Sequence, residues 1–285
     1  MEKHKLALIG YPLGHSLSPV LYRAAFEDLG IDGEYELLQT RSEDLISQIK
    51  YLRSHKYYGF NVTIPHKVPV TLFLSKYDEF INMTGSVNCI KIEEDSSLSG
   101  YNTDVWGFCE AIKDIDLKGK HAAVLGTGGA ARAVCAGLYM LGISKIDLYT
   151  RNVINSKETV DTLRNRFDKI EINAIQTSLM DEMSDVDILV NTTPLGMKKF
   201  DENNCPVEDK QIESLPDGAI VYDIVYNPLR TPLISKAIKY NKKFVCGLDM
   251  LTYQAQKAVE IWFNKKPDAK LMKIRALEEF LINNF

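Results

Sequence analysis

Apolar and polar positions change period several times over the first hundred residues. Leu6 to Gly10 is a short, nearly unbroken apolar run, the length of a buried strand. Val20, Leu21, Ala24, Ala25 and Leu29 then recur at helical spacing. Ser18 is a preferred N-cap, Pro19 suits a first helical position and Gly30 supplies a stop, so a helix is expected there. Tyr35 to Leu38 and Tyr58 to Thr63 read as strands, with a helix over Glu43 to Lys50 between them. Val87 to Ile92 and Leu98 to Tyr101 are expected to pair as a hairpin around Glu94-Asp95-Ser96.

From about Lys118 strands and helices alternate strictly. His121 to Leu125, Lys145 to Tyr149, Asp187 to Asn191 and Ala219 to Val225 read as strands. Gly128 to Leu141 and Val153 to Phe167 read as helices, while Lys198 to Pro216 is polar and irregular. Alternation of this kind implies a parallel sheet with helices on both faces. The sheet is expected to be complete by about Val225. Leu248 to Phe263, and a further helix from about Asp268, are expected to return to the first part of the chain. The fold class is therefore α/β with two domains. Residues 1–104, completed by 240–285, form one, and residues 105–239 form a doubly wound, Rossmann-type second.

A chain of 285 residues that is 45% hydrophobic and 25% charged can build two ordinary cores. A formal net charge of -4 argues against a nucleic-acid partner, which calls for excess Lys and Arg. Cys89, Cys109, Cys135, Cys205 and Cys246 are scattered and form no C-x-x-C pair, so neither a disulfide framework nor a metal site is expected, and a cytoplasmic location is. The apolar run after Met1 is too short for a signal peptide. Ala122 to Gly142 is apolar but holds five glycines and Arg132, so no membrane span is expected.

Gly126-Thr127-Gly128-Gly129-Ala130-Ala131 fits G-x-G-x-x-[GA], with an expected strand before it, a helix after it and a second strand about 20 residues on. Gly126 permits a tight turn, Gly128 lets the backbone approach a pyrophosphate, and the helix N-terminus offers N–H groups to the phosphates. At the end of the next strand stands Tyr149-Thr150-Arg151-Asn152. A cation there, with no Asp or Glu from Leu148 to Lys157, suits a 2′-phosphate and hence NADP.

Three earlier motifs carry reactive groups. In His15-Ser16-Leu17-Ser18-Pro19, two hydroxyls precede a helix N-terminus and can donate to a carboxylate; Ser18 can equally be only an N-cap. In Asn61-Val62-Thr63-Ile64-Pro65-His66-Lys67, strand alternation puts Asn61 and Thr63 on one face, and Lys67 is a candidate general acid/base. In Asn102-Thr103-Asp104, Asp104 either caps a helix or tunes a nearby lysine. Asn88 is a further candidate donor.

These motifs, with Asn191-Thr192-Thr193-Pro194-Leu195-Gly196-Met197, Asp223-Ile224-Val225-Tyr226-Asn227-Pro228 and Gly247-Leu248-Asp249-Met250-Leu251, resemble the shikimate dehydrogenase family from about Ile9 to about Gln256. The resemblance implies reversible reduction of 3-dehydroshikimate to shikimate, with a substrate domain preceding an NADP-binding one. It implies Lys67 and Asp104 as the catalytic pair and Ser16 and Ser18 as carboxylate ligands. Asn61, Thr63, Asn88, Asp104, Tyr226 and Gln254 are implied as ring-hydroxyl ligands. Cofactor contacts are expected at Gly126, Thr127, Gly128, Gly129, Ala130, Thr150, Arg151, Asn152, Val225 and Gly247. Thr192 stands where Ala is common, and Arg151 lacks a companion arginine. The expected partners are small molecules only, for a monomer or homodimer. A quinate/shikimate dehydrogenase using NAD or NADP, and a non-catalytic NADP-binding sensor, are the alternatives. A folate-linked dehydrogenase would not carry the paired serines.

Overall fold

The computed structural model describes residues 3–13, 16–198 and 201–283. The chain forms two compact units, Met1–Gly107 with Thr252–Phe285, and Phe108–Leu251.

The first unit is built from β1 (His4–Gly10), α1 (Ser18–Leu29), β2 (Gly33–Gln39), α2 (Leu45–Ser54), β3 (Gly59–Val62), β4 (Lys76–Tyr77), α3 (Glu79–Thr84), β5 (Cys89–Ile92), β6 (Leu98–Tyr101) and the start of α4 (Thr103–Ala111). Its sheet has the order β2-β1-β3-β5-β6-β4. β1 runs parallel to β2 and β3, whereas β5 is antiparallel to both β3 and β6, the expected hairpin. Gly30 ends α1 with a left-handed φ of 62°, as its lack of a Cβ allows. One face buries Ile9, Leu52, Phe60, Val62, Ile90 and Leu98, and each such side chain contributes about 1.5–3 kcal/mol by leaving water.

The second unit continues α4 and adds β7 (His121–Leu125), α5 (Gly129–Met140), β8 (Lys145–Thr150), α6 (Val153–Arg166), β9 (Glu171–Gln176), β10 (Ile188–Asn191), α7 (Asp209–Ser214), β11 (Ile220–Asp223), α8 (Pro232–Lys239), β12 (Lys243–Cys246) and the start of α9 (Gly247–Phe263). Every strand pair is parallel, in the order β12-β11-β10-β7-β8-β9. This is the doubly wound, Rossmann-type order. It reverses between β7 and β10, and ligands of such sheets bind outside the carboxyl ends of the strands at that reversal.

Two strands of this sheet escape the sequence pattern, as the two-residue β4 does in the first. β9 and β12 sit at the two edges of this sheet, pair on one side only, and are only partly buried, so neither shows a buried apolar run. The expected completion of the sheet by Val225 is thus corrected: α8 and β12 follow, and β12 pairs with β11. An end at residue 239 severs that strand, and the compact unit instead runs on to Leu251.

The C-terminal helices return to the first sheet. In α9 the Trp262 indole N–H donates to the Ile90 carbonyl at 3.0 Å, and a Cβ on Gly59 would lie 2.4 Å from the same nitrogen. The last helix, α10 (Ala269–Asn283), packs on α1. Among the described residues, no helix is long and apolar enough to cross a membrane, and no group of three or more His, Cys, Asp and Glu side chains is placed to hold a metal ion.

Candidate active site

In the first unit, the polar residues gather where β1 and β3 end and where α4 begins. Ser16 and Ser18 meet directly: the Ser16 hydroxyl donates to Ser18 Oγ at 3.0 Å. The Ser18 backbone N–H donates to Ser16 Oγ at 3.2 Å. Ser18 is not the N-cap. Leu17 holds that position and Ser18 is the first helical residue, so Ser16 takes up one of the free N–H groups of α1. His15 of the same motif lies outside the described residues.

Asn61 is buried in β3, whereas Thr63 lies in the loop just beyond the end of that strand. The loop is pinned twice. The buried His66 ring donates through Nε2 to the Thr40 carbonyl at 2.7 Å, and the Val87 N–H donates to the Lys67 carbonyl at 2.8 Å. Lys67 Nζ then donates to Asp104 Oδ2 at 2.5 Å. Asp104 sits in the first turn of α4 without capping it. The N–H of Thr103 is instead taken by Asn88 Oδ1 at 2.7 Å. Asn88 Nδ2 donates to Asp104 Oδ1 at 2.8 Å and to Thr103 Oγ1 at 2.9 Å, and lies 3.3 Å from Gln254 Oε1 of α9. The carboxylate is therefore held by a cation on one oxygen and an amide on the other. Asn88 spends its polar atoms on neighbours and acts here as an organiser of Asp104. His66 and Thr103 were passed over in the sequence, because a buried side chain bonded to a distant carbonyl or amide leaves no local pattern.

In the second unit the site is mostly backbone. Gly126 has φ 108°, and a Cβ there would come within 2.8 Å of Thr192 Oγ1. Gly128 is different. It is the N-cap of α5, with an ordinary φ of -77° and no side-chain cap, and a Cβ added to it meets nothing within 4 Å. Neither packing nor backbone geometry calls for glycine at 128. The first turn of α5, with Gly129 and Ala130, leaves uncapped N–H groups at a positive helix end, which fits a pyrophosphate. The hydroxyls of Thr127 and Thr150 both meet Ser156 Oγ, at 3.0 and 2.7 Å. Thr150 is buried, Asn152 caps α6 by accepting from the Asn155 N–H at 3.1 Å, and Arg151 is exposed. The Thr150 hydroxyl is thus committed to Ser156, whereas the cap bond uses only Oδ1 of Asn152 and the guanidinium of Arg151 is exposed.

At the end of β11, Asp223 is fully buried. It accepts from Asn191 Nδ2 at 2.9 Å, from the Val225 N–H at 3.0 Å and from the Thr231 hydroxyl at 2.6 Å. Burial pushes its carboxyl up to about 6 against the pull of these donors. Val225 is buried and Tyr226 half-buried in the loop so held. Gly247 is required by close packing: a Cβ would lie 2.1 Å from the Ile224 carbonyl oxygen.

A doubly wound parallel sheet with an uncapped glycine loop at its switch point, in a chain that also carries a largely buried lysine–carboxylate pair, defines a dinucleotide-dependent oxidoreductase. The relatives narrow the class. Residues 8–90 match the shikimate dehydrogenase substrate binding domain, and residues 247–273 the shikimate 5′-dehydrogenase C-terminal domain. The chain is 36% identical to a shikimate dehydrogenase (NADP(+)) of Bacillus cereus (strain B4264), over 97% of its own length and 99% of that protein. It therefore belongs to the shikimate dehydrogenase family. The shikimate 5-dehydrogenase of Thermus thermophilus, solved with NADP(H) and shikimate, superposes with a TM-score of 0.84 at 30% identity, covering 96% of this chain and 99% of that one. The 5-ketofructose reductase of Gluconobacter sp. strain CHM43 superposes with a TM-score of 0.87 at 27% identity, covering 97% and 99%.

Proposed function

We propose that this chain is an NADP-dependent shikimate dehydrogenase that interconverts 3-dehydroshikimate and shikimate, serving the biosynthesis of aromatic amino acids. The observation that carries the reading is the Lys67–Asp104 pair, 2.5 Å apart and embedded in the amide and hydroxyl groups of Asn88, Thr103 and Gln254. A binding-only sensor has no need of a largely buried ammonium aimed by a carboxylate.

When bound, the nicotinamide supplies or receives the hydride. The residues of the chain do the rest. The hydroxyls of Ser16 and Ser18, at the positive end of α1, take the substrate carboxylate. Asn61, Thr63, Asp104, Tyr226 and Gln254 orient the ring hydroxyls. Lys67 gives a proton from Nζ to the carbonyl oxygen as it gains negative charge, and recovers it in the reverse direction. Asp104 holds Nζ in place. The first turn of α5 would hold the pyrophosphate, Arg151 the 2′-phosphate, and Val225 and Gly247 the nicotinamide. The chain works as a monomer or homodimer in the cytoplasm, a reducing compartment that suits its free thiols.

The test is a spectrophotometric assay of NADP reduction with shikimate, run beside NAD, quinate and, in the reductive direction, 5-ketofructose. Turnover of shikimate with NADP is expected to exceed every other pairing. Higher turnover of quinate with NAD, or of 5-ketofructose, overturns the assignment.

A further inference from the structure

Asn61 is held by two tyrosines that the mechanism above does not use. Tyr22 of α1 and Tyr35 of β2 stack at 4.1 Å between ring centroids, 16° from parallel. Both hydroxyls donate to Asn61 Oδ1, each at 2.7 Å. On the other side, Asn61 Nδ2 donates to the Asn88 backbone carbonyl at 3.0 Å. A carbonyl oxygen only accepts, so the amide group must turn its nitrogen that way, and its oxygen must face the phenols. Both lone pairs of Oδ1 are then filled, and one of the two Nδ2 hydrogens is used. No described residue takes the second hydrogen.

We propose that Tyr22 and Tyr35 fix the hydrogen-bond polarity of Asn61, making it a donor only, and so select a substrate ring that presents an acceptor oxygen at that position. The inference rests on the reading of Asn61 as a substrate ligand. The two phenols are positioning residues, acting through Asn61. Tyr22 is completely buried between Tyr35 and Trp262, and burial pushes its hydroxyl well above its ordinary pKa, so it stays protonated and donating. The neighbouring Asp104 carboxylate has the opposite polarity: its oxygens accept from Lys67 Nζ and Asn88 Nδ2. Asn88 links the two, with its carbonyl on Asn61 and its amide on Asp104. One fixed donor beside one fixed acceptor discriminates between ring oxygens by the direction of their hydrogen bonds. An analogue missing the oxygen opposite Asn61 leaves the amide hydrogen without a partner.

The experiment compares wild type with Y22F, Y35F and the double variant, using shikimate and its 4-deoxy and 5-deoxy analogues. Without either phenol, Oδ1 loses its buried donors and the amide is free to rotate away from the substrate. The double variant is expected to raise KM for shikimate about tenfold, the scale of one lost hydrogen bond. Its kcat should stay within about threefold of wild type, since positioning acts on Asn61 and leaves the Lys67 proton path alone. KM for NADP should not move. Each single variant retains one donor and should show a smaller rise. One of the two deoxy analogues should bind wild type and double variant equally, because it lacks the oxygen that the amide meets. Equal losses on all three substrates, or an unchanged KM in a folded double variant, overturn the proposal. If the double variant does not fold, the same analogue comparison on Y22F and Y35F alone decides. Absence of shikimate turnover in wild type sinks the functional reading instead, which keeps the two failures apart.

Discussion

The two units build their sites by opposite means. In the first, the groups proposed to meet the substrate are side chains, and most are held by another side chain: Ser16 by Ser18, Asn61 by two tyrosines, Asp104 by Lys67 and Asn88. In the second, the groups proposed to meet the cofactor are mainly backbone, with glycine at 126, 128 and 247. The contrast follows from the ligands. A ring with several hydroxyls has to be read atom by atom, which calls for directional side-chain donors and acceptors. A pyrophosphate needs several N–H groups and close approach, which a helix end with no side chain in the way provides. Truncations should therefore be the damaging changes in the first unit, and added carbons the damaging ones in the second.

The largest effect is expected from Lys67→Ala, which should lower kcat at least about 100-fold, the usual scale for losing a general acid/base. KM should change less. A folded variant with kcat within about threefold of wild type would show that Lys67 does not move the proton.

Next comes Ser16→Ala. Losing one hydrogen bond to a charged group costs roughly 1.5–3 kcal/mol, or about 10- to 150-fold in KM for shikimate. An analogue lacking the carboxylate should be indifferent to the change, and equal loss for acid and analogue refutes carboxylate docking at this serine.

Gly247→Ala and Gly128→Ala form a matched pair on the backbone side. The first puts a Cβ 2.1 Å from the Ile224 carbonyl oxygen, and such overpacking costs about 1–3 kcal/mol, visible as a lower Tm. The second meets no protein atom within 4 Å. Its Tm should fall less, by the modest cost of Ala at an N-cap, while KM for NADP rises. An unchanged KM in Gly128→Ala removes the case for a phosphate at that loop.

Arg151→Ala should reduce kcat/KM for NADP about tenfold, the low end for a charge-assisted contact, and leave NAD nearly level. The Arg151 side chain is exposed, and the nearby Thr150 hydroxyl is occupied by Ser156 of α6. Equal losses for both cofactors would assign the 2′-phosphate elsewhere.

The smallest effect concerns Asp223. Its carboxyl is raised to about 6 by burial, against about 3.9 in an unfolded chain. A raised acid binds its proton more tightly when folded, so its contribution to stability is full below about pH 4 and is lost as pH rises through about 6. Denaturant titrations should show wild type gaining on Asp223→Asn as pH falls from about 6 to about 4, with a constant difference above about 7. A difference that is flat across the whole range contradicts the raised value.

Much of this was legible along the chain, for reasons of locality. The strand–glycine loop–helix of 121–140 is spelled out in consecutive residues, because a tight turn, a phosphate approach and a helix start are local demands on the backbone. Lys67 and Asp104 were legible as a pair only by resemblance, since 37 residues separate partners that meet when β3 and α4 fold together. The edge strands β9 and β12 were missed because a strand paired on one side needs no continuous apolar run. Ser18 was read as a cap from its type alone, whereas the chain placed Leu17 at the boundary and gave the first N–H to Ser16. Nothing in the local sequence marks Tyr22 or Tyr35. Only packing of α1 against β2 and β3 sets both phenols on one amide oxygen. Local backbone chemistry is thus written in sequence order, while the direction of a buried side-chain hydrogen bond depends on which distant elements share a core.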